Sequence, residues 1–102
     1  MSARPAALTI PKLGLTMKEG TVAVWHVEPG ETVSVGQPVF DVETDKVTSE
    51  CAAETAGILR RQIADQGATL PVGALVAVIA PPEVSDAEVD RFVAEFVPEQ
   101  QA

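Results

Sequence analysis

The chain has 102 residues, enough for one domain and a short tail but too few for a large enclosed active site. Seven Lys and Arg against fifteen Asp and Glu leave a formal net charge of −8, which excludes a nucleic acid or an anionic membrane surface as partner. One Cys and one His allow neither an internal disulfide nor a Cys/His cluster for structural zinc, and no metal site is expected. The first five residues, Met1 to Pro5, carry neither an apolar signal run nor a basic amphipathic transit pattern. The longest apolar stretch, Leu70 to Ala80, is broken by Pro71 and Gly73 and is about half of the ~20 residues a bilayer span requires. A cytoplasmic, bacterial-type protein is therefore expected, in preference to one of the mitochondrial matrix.

With only four aromatic residues (Trp25, Phe40, Phe92, Phe96), the core must be built from Val, Leu, Ile and Ala, and eight Pro and seven Gly punctuate it as short strands and turns. Strands are predicted over Ala7 to Ile10, Thr21 to Val27, Thr32-Val33, Pro38 to Thr44, Val47 to Ala52, Gly57 to Ile63, Thr69-Leu70 and Ala74 to Ala80. Glu28-Pro29-Gly30-Glu31 fits a type II turn, and Asp65-Gln66-Gly67 occupies the corresponding place later in the chain. Three glycine pairs, Gly20/Gly57, Gly30/Gly67 and Gly36/Gly73, share an offset of 37, and residues 20 to 42 laid on 57 to 79 give six identities in 23 positions. Two copies imply two similar half-sheets packed about a pseudo-twofold axis. Eight short strands then make a flattened barrel or sandwich of two four-stranded sheets.

The segment Phe40 to Cys51 specifies its own register. If Asp45 and Lys46 form a two-residue loop, paired residues sum to 91, placing Thr44, Val47, Val42, Ser49, Phe40 and Cys51 on the inner face. Asp41, Glu43, Thr48 and Glu50 then point outward, and Lys46 stands at the apex. A turn lysine serves solubility in most proteins, or else presents its amine to another molecule; spacing alone does not choose between them. Cys51, facing inward, is expected to be an inert thiol, and His26 an exposed strand residue.

The residues around the turn carry a resemblance. Glu43-Thr44-Asp45-Lys46-Val47, preceded by Pro11-Lys12-Leu13-Gly14-Leu15-Thr16-Met17-Lys18-Glu19-Gly20-Thr21-Val22 and followed by Gly57 and Pro71-Val72-Gly73, resembles the lipoyl domain of 2-oxo acid dehydrogenase complexes over about Leu8 to Ile79. The resemblance implies an all-β flattened barrel of two four-stranded antiparallel sheets, and a carrier rather than an enzyme. It implies lipoic acid in amide linkage to Lys46, with Glu43, Thr44, Asp45, Val47, Leu13, Gly14 and Leu15 as recognition residues. Implied partners are a thiamin-diphosphate-dependent dehydrogenase component, dihydrolipoamide dehydrogenase, a lipoate ligase or transferase, and a catalytic acyltransferase or hydrolase-like domain. Biotinyl domains share the fold but usually flank their lysine with methionines, where Asp45 and Val47 stand here. A biotinyl carrier and an unmodified barrel adaptor are the alternatives.

Beyond Pro81-Pro82 the period changes. Ser85 and Glu88 form a capping-box pattern, Val84 and Val89 a hydrophobic staple, and Val89, Phe92, Val93, Phe96 and Val97 follow at helical spacing until Pro98. The expected organisation is a disordered N-terminus over 1–5, a lipoyl-type domain over 6–81, and a linker over 82–102 with a helix at about 86–97. A helix this short must pack on the barrel, a following domain or a second copy. Glu83 to Asp90 is similar to the segment after the lipoyl domain in acetoin dehydrogenase acyltransferase-like components, which implies that the chain is the N-terminal piece of a longer protein.

Overall fold

A computed structural model describes residues 5–11, 18–45 and 47–96. Eight strands, β1 (Ala6–Thr9), β2 (Glu19–Trp25), β3 (Thr32–Val33), β4 (Pro38–Glu43), β5 (Thr48–Ala52), β6 (Gly57–Gln62), β7 (Thr69–Pro71) and β8 (Leu75–Ala80), precede one helix, α1 (Asp86–Glu95). They form two four-stranded antiparallel sheets, ordered β1-β8-β6-β3 and β5-β4-β2-β7. This is the all-β architecture that the strand pattern predicts, and β2 starts two residues earlier than expected because Glu19 and Gly20 pair with Pro71 and Leu70 of β7.

The duplication extends to individual hydrogen bonds. Gly30 N–H donates to the Leu59 carbonyl at 2.8 Å and Gly67 N–H to the Val22 carbonyl at 2.7 Å, so each half closes its turn on the other half. His26 N–H to Val39 O has its counterpart in Ile63 N–H to Val76 O, both at 2.8 Å. Gly30 and Gly67 adopt φ of 97° and 93°, a backbone region where a Cβ is strained, and this explains why the repeat keeps glycine there. The bulge in β4 between Pro38 and Phe40 recurs opposite β1, where Leu8 pairs with Ala77 but Thr9 with Leu75. Under this symmetry β1 is the counterpart of β5, since each flanks the third strand of its half.

The core is aliphatic, as the composition requires: Val22, Val33, Val39, Phe40, Val42, Leu59, Val76 and Ile79 are fully buried between the sheets. The Phe40 ring packs against Trp25 at a centroid distance of 5.5 Å, and Trp25 Nε1–H donates to the Ala64 carbonyl. All five residues from Val76 to Ala80 are buried, because β8 is covered on both faces. Its outer residues Val78 and Ala80 pack with Val84 and Val89 of the helical segment. The barrel is thus the surface that α1 needs. Ser85 Oγ accepts from Glu88 N–H at the helix start. Arg60 donates to the Pro81 carbonyl and to Asp86, and Arg61 to Asp90, which fastens α1 across β6. The helix ends at Glu95, capped by Phe96, and Val97 lies outside the described residues.

Candidate functional site: the turn between β4 and β5

The register of β4 with β5 is the one deduced from the sequence: Phe40 faces Cys51, Asp41 faces Glu50, Val42 faces Ser49 and Glu43 faces Thr48. Thr44 N–H donates to the Val47 carbonyl at 2.8 Å, so only positions 45 and 46 separate the hydrogen-bonded pair. The Thr44 side chain completes the turn. Its Oγ1 accepts from Val47 N–H at 3.2 Å and donates to the Val47 carbonyl at 3.1 Å. Lys46 itself, with Leu13, Gly14 and Leu15, lies outside the described residues. Asp45 and Val47 on either side of it are exposed, as is Glu43. Val47, expected on the inner face, is instead 49% exposed, because at the tip of the hairpin no opposing strand remains to cover it.

One end of the barrel gathers the rest of this surface. Thr21 pairs with Glu43 on one side and with Thr69 on the other, so Glu19 and its partner Pro71 lie at the level of the turn. Gly73 N–H donates to the Ile10 carbonyl, bringing the end of β1 to that same end. Pro11 and Lys18, which bracket the segment containing Leu13 to Leu15, therefore flank the turn. Glu19, Glu43 and Asp45 give it an acidic rim. Ala6 and Ala80, where β1 begins and β8 ends, lie at the opposite end.

Cys51 is half-buried and lines a groove of about 470 Å³ between the edge strands β1 and β5. Burial, with Asp41 adding to it, pushes its thiol up to about 11, so it is held protonated at neutral pH, as an inert thiol would be. His26 is exposed, just past the end of β2, and its Nε2 lies 2.8 Å from Asp41 Oδ1.

The family model described as "Biotin-requiring enzyme", the biotin/lipoyl domain, matches residues 6–79. The chain belongs to the biotin/lipoyl domain family. Within it, the chain is similar to the "Dihydrolipoyllysine-residue acetyltransferase component of acetoin cleaving system" of Cupriavidus necator, 52% identical over 87% of this chain and 24% of that protein. The component of the same name from Pseudomonas putida is 49% identical over 90% of this chain and 26% of that protein. Among solved structures, the lipoyl domain of the 2-oxoglutarate dehydrogenase complex from Azotobacter vinelandii superposes with a TM-score of 0.58 at 35% identity, covering 72% of this chain and 95% of that one. The lipoyl domain described here spans about a quarter of the length of the acetoin-system relatives. It is a carrier domain, matching only that part of the relatives' length, and the lipoyl reading prevails over the biotinyl one. Among the described residues no helix is long and apolar enough to cross a membrane.

Proposed function

We propose that this lipoyl domain carries lipoic acid in amide linkage to Lys46 and serves an acetoin or 2-oxo acid dehydrogenase system in the cytoplasm. The observation that carries the reading is the hairpin geometry: a Thr44–Val47 hydrogen bond encloses only positions 45 and 46, and the residues flanking 46 are exposed. An attachment lysine needs this, since the ligase must reach the amine and the arm must reach several enzymes. Asp45 and Val47, in place of methionines, favour lipoate over biotin. When bound, the group supplies a strained cyclic disulfide able to carry an acyl group and two electrons, which this chain's side chains do not provide.

The protein's own contribution is mechanical and electrostatic. β4 and β5 frame the turn, and Thr44 closes it through its hydroxyl. Glu43, Asp45 and Val47 are free to meet the lipoate ligase or transferase and the thiamin-diphosphate-dependent dehydrogenase component, and Leu13, Gly14 and Leu15 are proposed to add to that surface. Dihydrolipoamide dehydrogenase and a catalytic acyltransferase or hydrolase-like domain complete the set of partners. Residues 6–81 form the carrier unit, and 82–102 connect it onward. Tethering keeps the arm at an effective concentration around the mM range for each site it visits.

Intact-mass measurement after coexpression with a lipoate ligase tests the proposal. A lipoyl adduct on the wild type that is absent from Lys46→Ala, with the far-UV spectrum unchanged, is expected. A biotin-sized adduct, no adduct, or one that persists in Lys46→Ala would overturn it.

A further inference from the structure

On the outer face of the β5-β4-β2-β7 sheet, away from the turn, three potential metal ligands converge from separate parts of the chain. Asp41 and Glu50 face each other directly across β4 and β5. His26, fixed by the hydrogen bond from its backbone N–H to the Val39 carbonyl, brings Nε2 to within 2.8 Å of Asp41 Oδ1. One donor atom from each of the three side chains lies within 4.8 Å of the others. We propose that His26, Asp41 and Glu50 form a binding site for a divalent transition-metal ion of the zinc class.

The fold contains its own control. The positions equivalent to His26, Asp41 and Glu50 in the other half are Ile63, Val78 and Ala7, and Val78 pairs with Ala7 as Asp41 pairs with Glu50. That half uses the same pairing to bury Val78 beneath α1. The architecture therefore has no need of charge there. Two carboxylates directly opposed across a strand pair repel and destabilise the pair, the imidazole bonds to Asp41, and among the described residues no cation pairs with Glu50. A dication between them turns repulsion into attraction.

The geometry is within reach. Tetrahedral zinc holds nitrogen and carboxylate oxygen at about 2.0–2.2 Å, which separates ligand atoms by roughly 3.3 Å. The His26–Asp41 pair at 2.8 Å must open by about half an ångström, and a Glu50 oxygen, within 4.8 Å of the other two, must close on them, leaving water as a fourth ligand. Metal binding at Nε2 replaces the His26–Asp41 hydrogen bond, the neutral imidazole then carrying its proton on Nδ1. Imidazole selects zinc, copper or nickel over calcium and magnesium.

The test is calorimetric titration of zinc sulfate into the full chain with Lys46 left as the free amine, since a dithiol would itself bind zinc. The expected result is one ion per chain, a shift of the His26 imidazole proton resonances on addition, and affinity at least about tenfold weaker in both His26→Ala and Glu50→Gln. Cys51→Ser should bind as the wild type does, and calcium should not compete. Absence of saturable binding up to about 1 mM zinc, unchanged affinity in His26→Ala, or loss of binding in Cys51→Ser would each overturn the proposal. The substituted side chains of His26 and Glu50 are exposed, and far-UV spectra verify that the variants fold.

Discussion

Replacing Thr44 by valine isolates what holds the β4–β5 turn. Valine keeps the β-branched shape and the 2.8 Å bond from its own backbone N–H to the Val47 carbonyl, but it removes both hydroxyl bonds, at 3.1 and 3.2 Å. Each is a neutral, solvent-exposed hydrogen bond with a net worth of about 0.5–1 kcal/mol, so the turn should lose about 1–2 kcal/mol. That corresponds to a roughly 5- to 30-fold rise in the population of the opened turn. Amide hydrogen exchange reads this directly: Val47 N–H, whose acceptor is the missing oxygen, should exchange faster by that factor. The barrel core should keep its protection, because opening at the turn is local. Thr44→Ser restores the hydroxyl and should return Val47 close to wild-type exchange. Unchanged protection of Val47 in Thr44→Val, or a serine variant no better than valine, would refute the role given to this side chain.

Three further outcomes follow from the packing and charges. In Gly57→Ala the new Cβ would stand 2.9 Å from Ile79 Cγ2 and 3.1 Å from the Ala80 backbone, both held in β8, so unfolding free energy should drop by about 1–3 kcal/mol, read as a lower Tm. Hydrogen bonding and charge from Arg60, with charge from Arg61, hold the Asp86 carboxyl below the usual carboxylate range. A depressed folded-state value stabilises above the ordinary carboxylate pKa and is lost on acidification, so the protection of the helix amides relative to their intrinsic exchange rates should be lower near about pH 3 than near about pH 6, a difference that Asp86→Asn should shrink. Cys51, pushed from 9.0 to about 11, should react with iodoacetamide at pH 8 about a hundredfold more slowly than an unperturbed thiol, and urea should restore the rate.

Much of the fold was legible because burial and turn chemistry constrain local pairing. A one-residue slip of the hairpin would turn Asp41 and Glu43 inward, so the sequence admits one register, and the glycine offset exposes the duplication because Gly30 and Gly67 need positive φ. The equivalence of β1 with β5 was hidden, since it runs from the start of the chain to its middle and breaks the constant offset. The helix was readable from its cap and stripe. Its docking surface was not, because Val78 and Ala80 read simply as part of an apolar strand until the second layer is seen. The Thr44–Val47 bond that encloses positions 45 and 46 follows from the register. The approach of His26 to Asp41 does not: a bulge between Val22 and Val24 shifts the pairing of β2 with β4 before His26 is reached, and no local pattern in the sequence marks it.

The first and last strands of the barrel run side by side, with Ala6 opposite Ile79. Tension applied where β1 begins and β8 ends would load this ladder from one end and part its rungs one after another, an unzipping geometry that resists far less than shear along the strands. The Arg60–Pro81 and Arg60–Asp86 bonds stand at the start of that tear, so the docked helix acts as a rivet that must fail before strain travels down the barrel toward the turn.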